Sequence, residues 1–305
     1  MLFQSSTGPI LYIETLSDQP RHFDKLVGLW QSLHQLPLAN TNLTLNFNYC
    51  EFLGHNGVAF LGGLAQLVKQ QGGAVRFEWD SLRGKIYASL KQNGFLYAFG
   101  ENQRPQDGNA IPYRQDCQFD HRAIIDYLQY YWLGKGWINI TDRLQQAITG
   151  QASELYLNAF DHSQSAIGVF SCGQHYPKAG VLQLSVVDFG IGIASSVRAL
   201  PQNQSLSTVD ALEWALQAGN TTQQQGISRG LGLHLLQSFI HCNGGSLLIY
   251  SNDGCIQVSE KGVQYAPRAV NFAGTLVNIT LQCNESVYDL ETDSGPDNVA
   301  EEDWF

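Results

Sequence analysis

The sequence predicts an α/β protein in two parts. Residues 1–99 read as a β-α-β domain. Residues 119–282 read as an α/β sandwich, a mixed and mainly antiparallel sheet covered on one face by helices. Three observations predict this. Residues 10–92 alternate short branched strands with helical runs, the order that gives parallel strands joined by right-handed crossovers. Residues 100–118 (GENQRPQDGNAIPYRQDCQ) are polar, hold two prolines and break periodicity, as a linker does. Beyond them a long helical run is followed by apolar strands separated by glycine-bearing turns.

The elements follow from spacing. Ile10–Glu14 (ILYIE) and Leu43–Phe47 (LTLNF) alternate as strands, and Ala74–Trp79 (AVRFEW) is a third. Between the first two, Arg21–Leu36 places Phe23, Leu26, Val27, Trp30 and Leu33 on one helical face. Val58–Val68 is helical and is closed by Gly72-Gly73, and Arg83–Gln92 is a last helix closed by Asn93-Gly94. In the second part, helices are predicted over Arg122–Leu133, Thr141–Ser163 and Leu231–His241. Strands are predicted over Val181–Val187, Gly245–Tyr250, Cys255–Ser259 and Val277–Leu281.

Composition narrows the function. A hydrophobic content of 44% supports packed cores, and the net charge of −10 is concentrated in residues 283–305, which hold acids and no base. The rest is nearly neutral and shows no basic patch, so nucleic acid is not expected as a direct partner. Six cysteines (Cys50, Cys117, Cys172, Cys242, Cys255, Cys283) form no C-x-x-C pair, which predicts reduced thiols rather than a zinc site or disulfide scaffold. No leader-like segment is seen, and the longest apolar stretch, near Gly57–Val68, is too short for a bilayer. A cytoplasmic protein without membrane contact is expected. Residues 283–305 lack periodicity and read as a disordered acidic tail. Their end, Glu301-Glu302-Asp303-Trp304-Phe305, also admits a docking peptide.

Three motifs carry the chemistry. ELYLNAFDHS (Glu154–Ser163) lies on a helix, where Glu154 and Asn158 sit one turn apart on one face and Asp161 and His162 continue it. The alternative reading of Glu154 is a plain helix-surface residue. VVDFGIGI (Val186–Ile193) ends a strand with Asp188, and Gly190 and Gly192 let the backbone turn sharply. SRGLGLHLL (Ser228–Leu236) follows the polar stretch Ala218–Gly230, and there Gly230, Leu231 and Gly232 open a helix whose free N–H groups suit phosphate. A Gly274-Thr275 pair precedes the last strand.

In order and spacing these motifs resemble the GHKL (Bergerat-fold) ATP-binding domain of histidine kinases, anti-sigma-factor serine kinases and topoisomerase and chaperone ATPases. The resemblance implies bound ATP and Mg²⁺. Asn158 would supply an oxygen to Mg²⁺ and Glu154 would act as general base. Asp188 would accept from the adenine 6-amino group, with Gly190 and Gly192 close to the base and Thr275 assisting. The 218–230 stretch would be an ATP lid, with Thr221, Thr222, Ser228 and Arg229 facing phosphate.

In the first part, CEFLGHNGVAFLGGLAQLVKQQGGAVRFEW followed by LRGKIYASLKQNGF resembles the second half of a STAS domain, a fold that binds partner proteins such as GHKL serine kinases. A protein partner bound through this domain is therefore implied. Where regulatory STAS domains carry a phosphorylatable Ser or Thr, this chain reads His55-Asn56-Gly57, which has no hydroxyl.

The expected domains are thus 1–99 STAS-like, 100–118 linker, 119–282 GHKL and 283–305 tail. A following transducer domain is not expected, and His121 in FDHRAI is the one phosphoacceptor candidate. The pattern is closest to the anti-sigma-type serine kinases, which predicts serine/threonine phosphotransfer to a partner. The alternative is a nucleotide-driven ATPase switch or scaffold that alters domain contacts or homodimerisation without phosphotransfer.

Overall fold

A computed structural model describes residues 2–5, 8–36, 40–161, 163–217 and 233–290. The chain is mixed α/β with two sheets. The first half runs β1 (Leu2–Ser5), β2 (Gly8–Tyr12), α1 (Pro20–His34), β3 (Asn42–Asn46), α2 (His55–Gln70), β4 (Ala74–Glu78), α3 (Gly84–Gln92) and α4 (Phe95–Ala98). The strands form one sheet in the order β1-β2-β3-β4. The β1–β2 pair is antiparallel, and β2–β3 and β3–β4 are parallel. Leu11, Leu43, Leu45 and Phe77 turn to the buried side, and the residues between them face outward, as a period of two requires.

The second half runs β5 (Ala110–Asp116), α5 (His121–Tyr127), a π-helical turn (Leu128–Leu133), α6 (Asp142–Asp161), β6 (Val169–Tyr176), β7 (Val181–Asp188), α7 (Ile193–Arg198), α8 (Thr208–Leu216), α9 (His234–Asn243), β8 (Ser246–Ser259) and β9 (Gly262–Gln282). Its sheet has the order β5-β6-β7-β9-β8, and every pairing is antiparallel.

Several expectations are corrected. The predicted linker contains β5, an edge strand of the second sheet that pairs with β6. An edge position accommodates Pro112, which lacks an N–H to donate. The sheet is antiparallel rather than mixed. The two strands expected at 245–250 and 255–259 are one, β8, carried across Asn252-Asp253 by register shifts. The helix expected to Leu133 changes from α to π after Tyr127. The predicted tail is packed up to residue 290: Tyr288 exchanges backbone bonds with Asn139 and Thr141, and its ring meets Phe239 edge-on at 5.4 Å. Residues 291–305 lie outside the described residues.

The largest correction concerns the face of the second sheet left uncovered by its helices. One face is covered by α5, α6 and α9, which close a core with Leu182, Leu184, Val186 and Ile279. The other is covered by the first half of the chain. A single hydrophobic cluster joins Phe23, Leu26, Phe60 and Leu64 to Phe170, Val187, Phe189, Tyr250 and Phe272. Helix α2 therefore lies between two sheets, and twelve of its sixteen residues are buried, which explains why it is apolar all round. Gly62 and Gly63 make the contact close: a Cβ on either would collide with the Tyr113 or Phe189 ring.

Polar groups also cross this junction. His55 Nε2 lies 2.8 Å from Asn278 Oδ1, to which the Ser185 hydroxyl also donates at 2.6 Å. Arg268 Nη2 meets Asp24 Oδ1 at 2.7 Å, and the Phe23 and Tyr250 rings stack at 3.8 Å. The His55-Asn56-Gly57 segment thus opens a helix packed against this chain's own second sheet.

Candidate functional site

The second motif ends β7 as expected, and three neighbouring strands bring its partners abreast. Asp188 pairs with Thr275 across β7–β9, and Thr275 pairs with Ser251 across β9–β8. Asp188 is buried, 3% exposed, and its Oδ1 accepts the Gly190 N–H at 2.9 Å. Burial pushes its carboxyl up to about 7, against the lowering pull of the Gly190 N–H and of the neighbouring Thr275 and Ser163. A carboxylate so placed can accept a further N–H from a ligand, and its raised pKa makes that capacity depend on pH.

The space in which a side chain would lie at either glycine of this motif is filled by protein. A Cβ on Gly190 would collide with the Ser163 carbonyl, which also accepts the Ile191 N–H at 2.7 Å. A Cβ on Gly192 would sit 2.5 Å from Asn252 Oδ1, and Gly192 has a φ of +82°. The glycines let the loop seat itself against the end of α6 and against β8. Phe189 anchors the loop from the other side, its ring 5.0 Å from Phe60 and 5.5 Å from Phe272.

The first motif lies on α6, as predicted. Glu154 and Asn158 are partly exposed, and Leu155, Tyr156 and Ala159 bury the opposite side. Neither forms a hydrogen bond to Asp188, and among the described residues the Asn158 amide nitrogen is buried without a partner. The helix reaches the Asp188 loop through its C-terminal end, at Ser163. Asp161 is exposed at that end, and His162 lies outside the described residues. So do Thr221, Thr222, Ser228, Arg229, Gly230, Leu231 and Gly232. His121 is exposed at the start of α5, where Asp120 is the cap and accepts the Ala123 N–H at 3.0 Å.

Among the described residues no cluster of three or more His, Cys, Asp or Glu could cage a metal. Mg²⁺ commonly takes one or two protein oxygens and completes its shell with phosphate and water. Of the Asn158 amide only Oδ1 could serve as such a ligand, while the buried Nδ2 is a donor that could meet a phosphate oxygen.

Sequence reasoning missed Ser251 and Asn252. The Ser251 hydroxyl accepts the Ile193 N–H at 2.7 Å and lies 3.2 Å from Thr275 Oγ1. The Asn252 amide donates to Ile191 O at 3.0 Å. Their only signal in the sequence is the Ser-Asn-Asp-Gly interruption of an alternating run, read as a gap between strands. No family description matches the chain, and a search of curated proteins finds no relative.

Proposed function

We propose that the chain is an Mg-ATP-binding regulatory protein of the GHKL type, joined to a STAS-like unit, with serine/threonine phosphotransfer to a protein as its activity. One observation carries the reading: a buried carboxylate, Asp188, ends a central strand beside Thr275, at the foot of a glycine-shaped loop. An ionised Asp188 would accept from the adenine 6-amino group and discriminate against guanine, whose carbonyl at that position would face a carboxylate. Asn158 would hold Mg²⁺, which when bound neutralises phosphate charge. Glu154 would take the proton from the attacking hydroxyl.

A specific observation also favours the nucleotide-switch reading. Phe189, between Asp188 and Gly190, is packed against Phe60 in the core shared with the first half. Any movement of the loop on binding would be felt by α2. Because α2 is buried, a protein partner of the STAS-like unit would have to meet another surface. Its outer sheet face presents Phe3, Tyr12 and Tyr49 around an open cleft of about 910 Å³.

The test is calorimetry of Mg-ATP and Mg-GTP on the wild-type chain and on Asp188→Asn, followed by incubation with labelled ATP and candidate partners. ATP uptake that requires Asp188 supports the reading, and no heat from folded wild-type protein removes it. Phosphate released to water with no labelled protein would select the switch.

A further inference from the structure

We infer that the bulge at Ser251–Asn252 in β8 is the positioning element of the candidate purine site, with Asn252 holding the 190–195 loop in the shape Asp188 needs. The inference rests on the nucleotide reading above. Strand β8 pairs regularly with β9 up to Ser251↔Thr275, then shifts register at Asn252 and again before Gly254. Asn252 takes a left-handed backbone, φ +54°, and is 5% exposed. A non-glycine residue rarely adopts that conformation, and a glycine would adopt it at less cost. The side chain therefore needs a reason to be there, and its contacts supply one.

All of its amide bonds run to one segment, the end of the Asp188 loop and the first turn of α7. Asn252 Nδ2 donates to Ile191 O and to Ser195 Oγ, each at 3.0 Å, and Oδ1 accepts the Ser195 N–H at 3.3 Å. Ser251 adds the bond from Ile193 N–H and donates to Gly274 O at 2.9 Å. The loop is thus fixed at 191, 193 and 195, immediately after the Gly190 N–H that holds Asp188 Oδ1. Gly192 belongs to the same device, since a side chain there would displace the Asn252 amide. The next residue, Asp253, accepts the hydroxyl of Thr208 at the start of α8, so the same bulge also ties down the helix that precedes residues 218–232. Asn252 bonds to neither Glu154 nor Asn158, which makes its role positional at the base end rather than catalytic.

The test uses the full chain with Asn252→Gly, which keeps the left-handed backbone and removes the amide. Asn252→Asp keeps the acceptor for Ser195 but loses the donor to Ile191. Calorimetry gives Kd for Mg-ATP and Mg-GTP, and far-UV circular dichroism checks the fold. Asn252→Gly, which removes all three amide hydrogen bonds, should weaken ATP about ten-fold or more and narrow the ATP-over-GTP preference. Asn252→Asp should fall between it and wild type. A folded Asn252→Gly chain with unchanged ATP affinity and preference overturns the role. If the glycine variant does not fold, Asn252→Asp decides by the same readouts. Wild-type protein that binds neither nucleotide would instead remove the nucleotide reading, and the positioning role with it.

Discussion

Around Asp188 the polar groups are tied to one another through Gly190, Thr275, Ser251 and Asn252, whereas on α6 the Asn158 amide nitrogen is buried with no acceptor among the described residues. The base end of the candidate site is preorganised by three strands and a bulge. Among the described residues, the proposed phosphate end is one helix. A preorganised end gives selectivity with little ordering cost on binding. An end with unspent hydrogen-bonding capacity is completed by its ligand. The comparison teaches that recognition of the base and chemistry at the phosphate should be separable by mutation.

The largest expected effect tests the phosphate end. Glu154→Gln removes the proposed base while keeping shape, and phosphotransfer should fall by roughly 10²- to 10⁴-fold. ATP affinity should be unchanged, because Glu154 has no contact with the base end. Equal loss of affinity and turnover would break the separation. Asp188→Asn is the reciprocal change: it places an amide opposite the Gly190 N–H and removes the carboxylate acceptor. ATP affinity should drop by about 100-fold or more, the scale of a buried polar group left mismatched. Retained affinity would show that the carboxylate does not read the base.

Next comes the junction behind the loop. Gly63→Val drives a branched side chain into the Phe189 ring, within a core shared by both halves. Overpacking of this kind costs about 1–3 kcal/mol. The denaturation midpoint should fall in a single transition if the halves unfold together. Two separate transitions would show that the shared core does not couple them.

The sequence made the local parts of this arrangement readable and hid the distant ones. Asp188, Gly190 and Gly192 stand out because a strand end and its turn are consecutive residues, and Thr275 because its glycine precedes an alternating strand. Helix α2 is readable as buried because GVAFLGGLAQLV has no polar face. What covers it is not readable, since burial on both sides looks the same whichever sheets do it. Strand β5 was hidden because Pro112, Arg114 and Asp116 break the strand pattern. An edge strand tolerates the proline, and the pairing of half-buried Arg114 with buried Asp116 satisfies the charges. Asn252 was hidden for another reason: its partners lie some sixty residues earlier, and a bulge destroys the periodicity that would have pointed to it.

The smallest effect is the most diagnostic of the base end. Burial raises the Asp188 carboxyl from an ordinary 3.8 to about 7. The free protein then prefers the protonated form. The stability this contributes is fully present below about pH 4 and is lost as pH rises through about 7. Base recognition needs the ionised form, so ligand affinity should move in the opposite direction. Between pH 8 and pH 6 the ionised fraction falls about ten-fold for a group titrating near 7, and affinity should fall with it. Adenosine is the ligand to use, because it carries no phosphate to titrate in that window. Calorimetry in buffers of different ionisation enthalpy should also show proton release on binding near pH 6. A flat profile would mean that the carboxylate is ionised throughout or takes no part. In Asp188→Asn the fall of apo stability between pH 4 and 7 should be reduced, which assigns the titration to this one group.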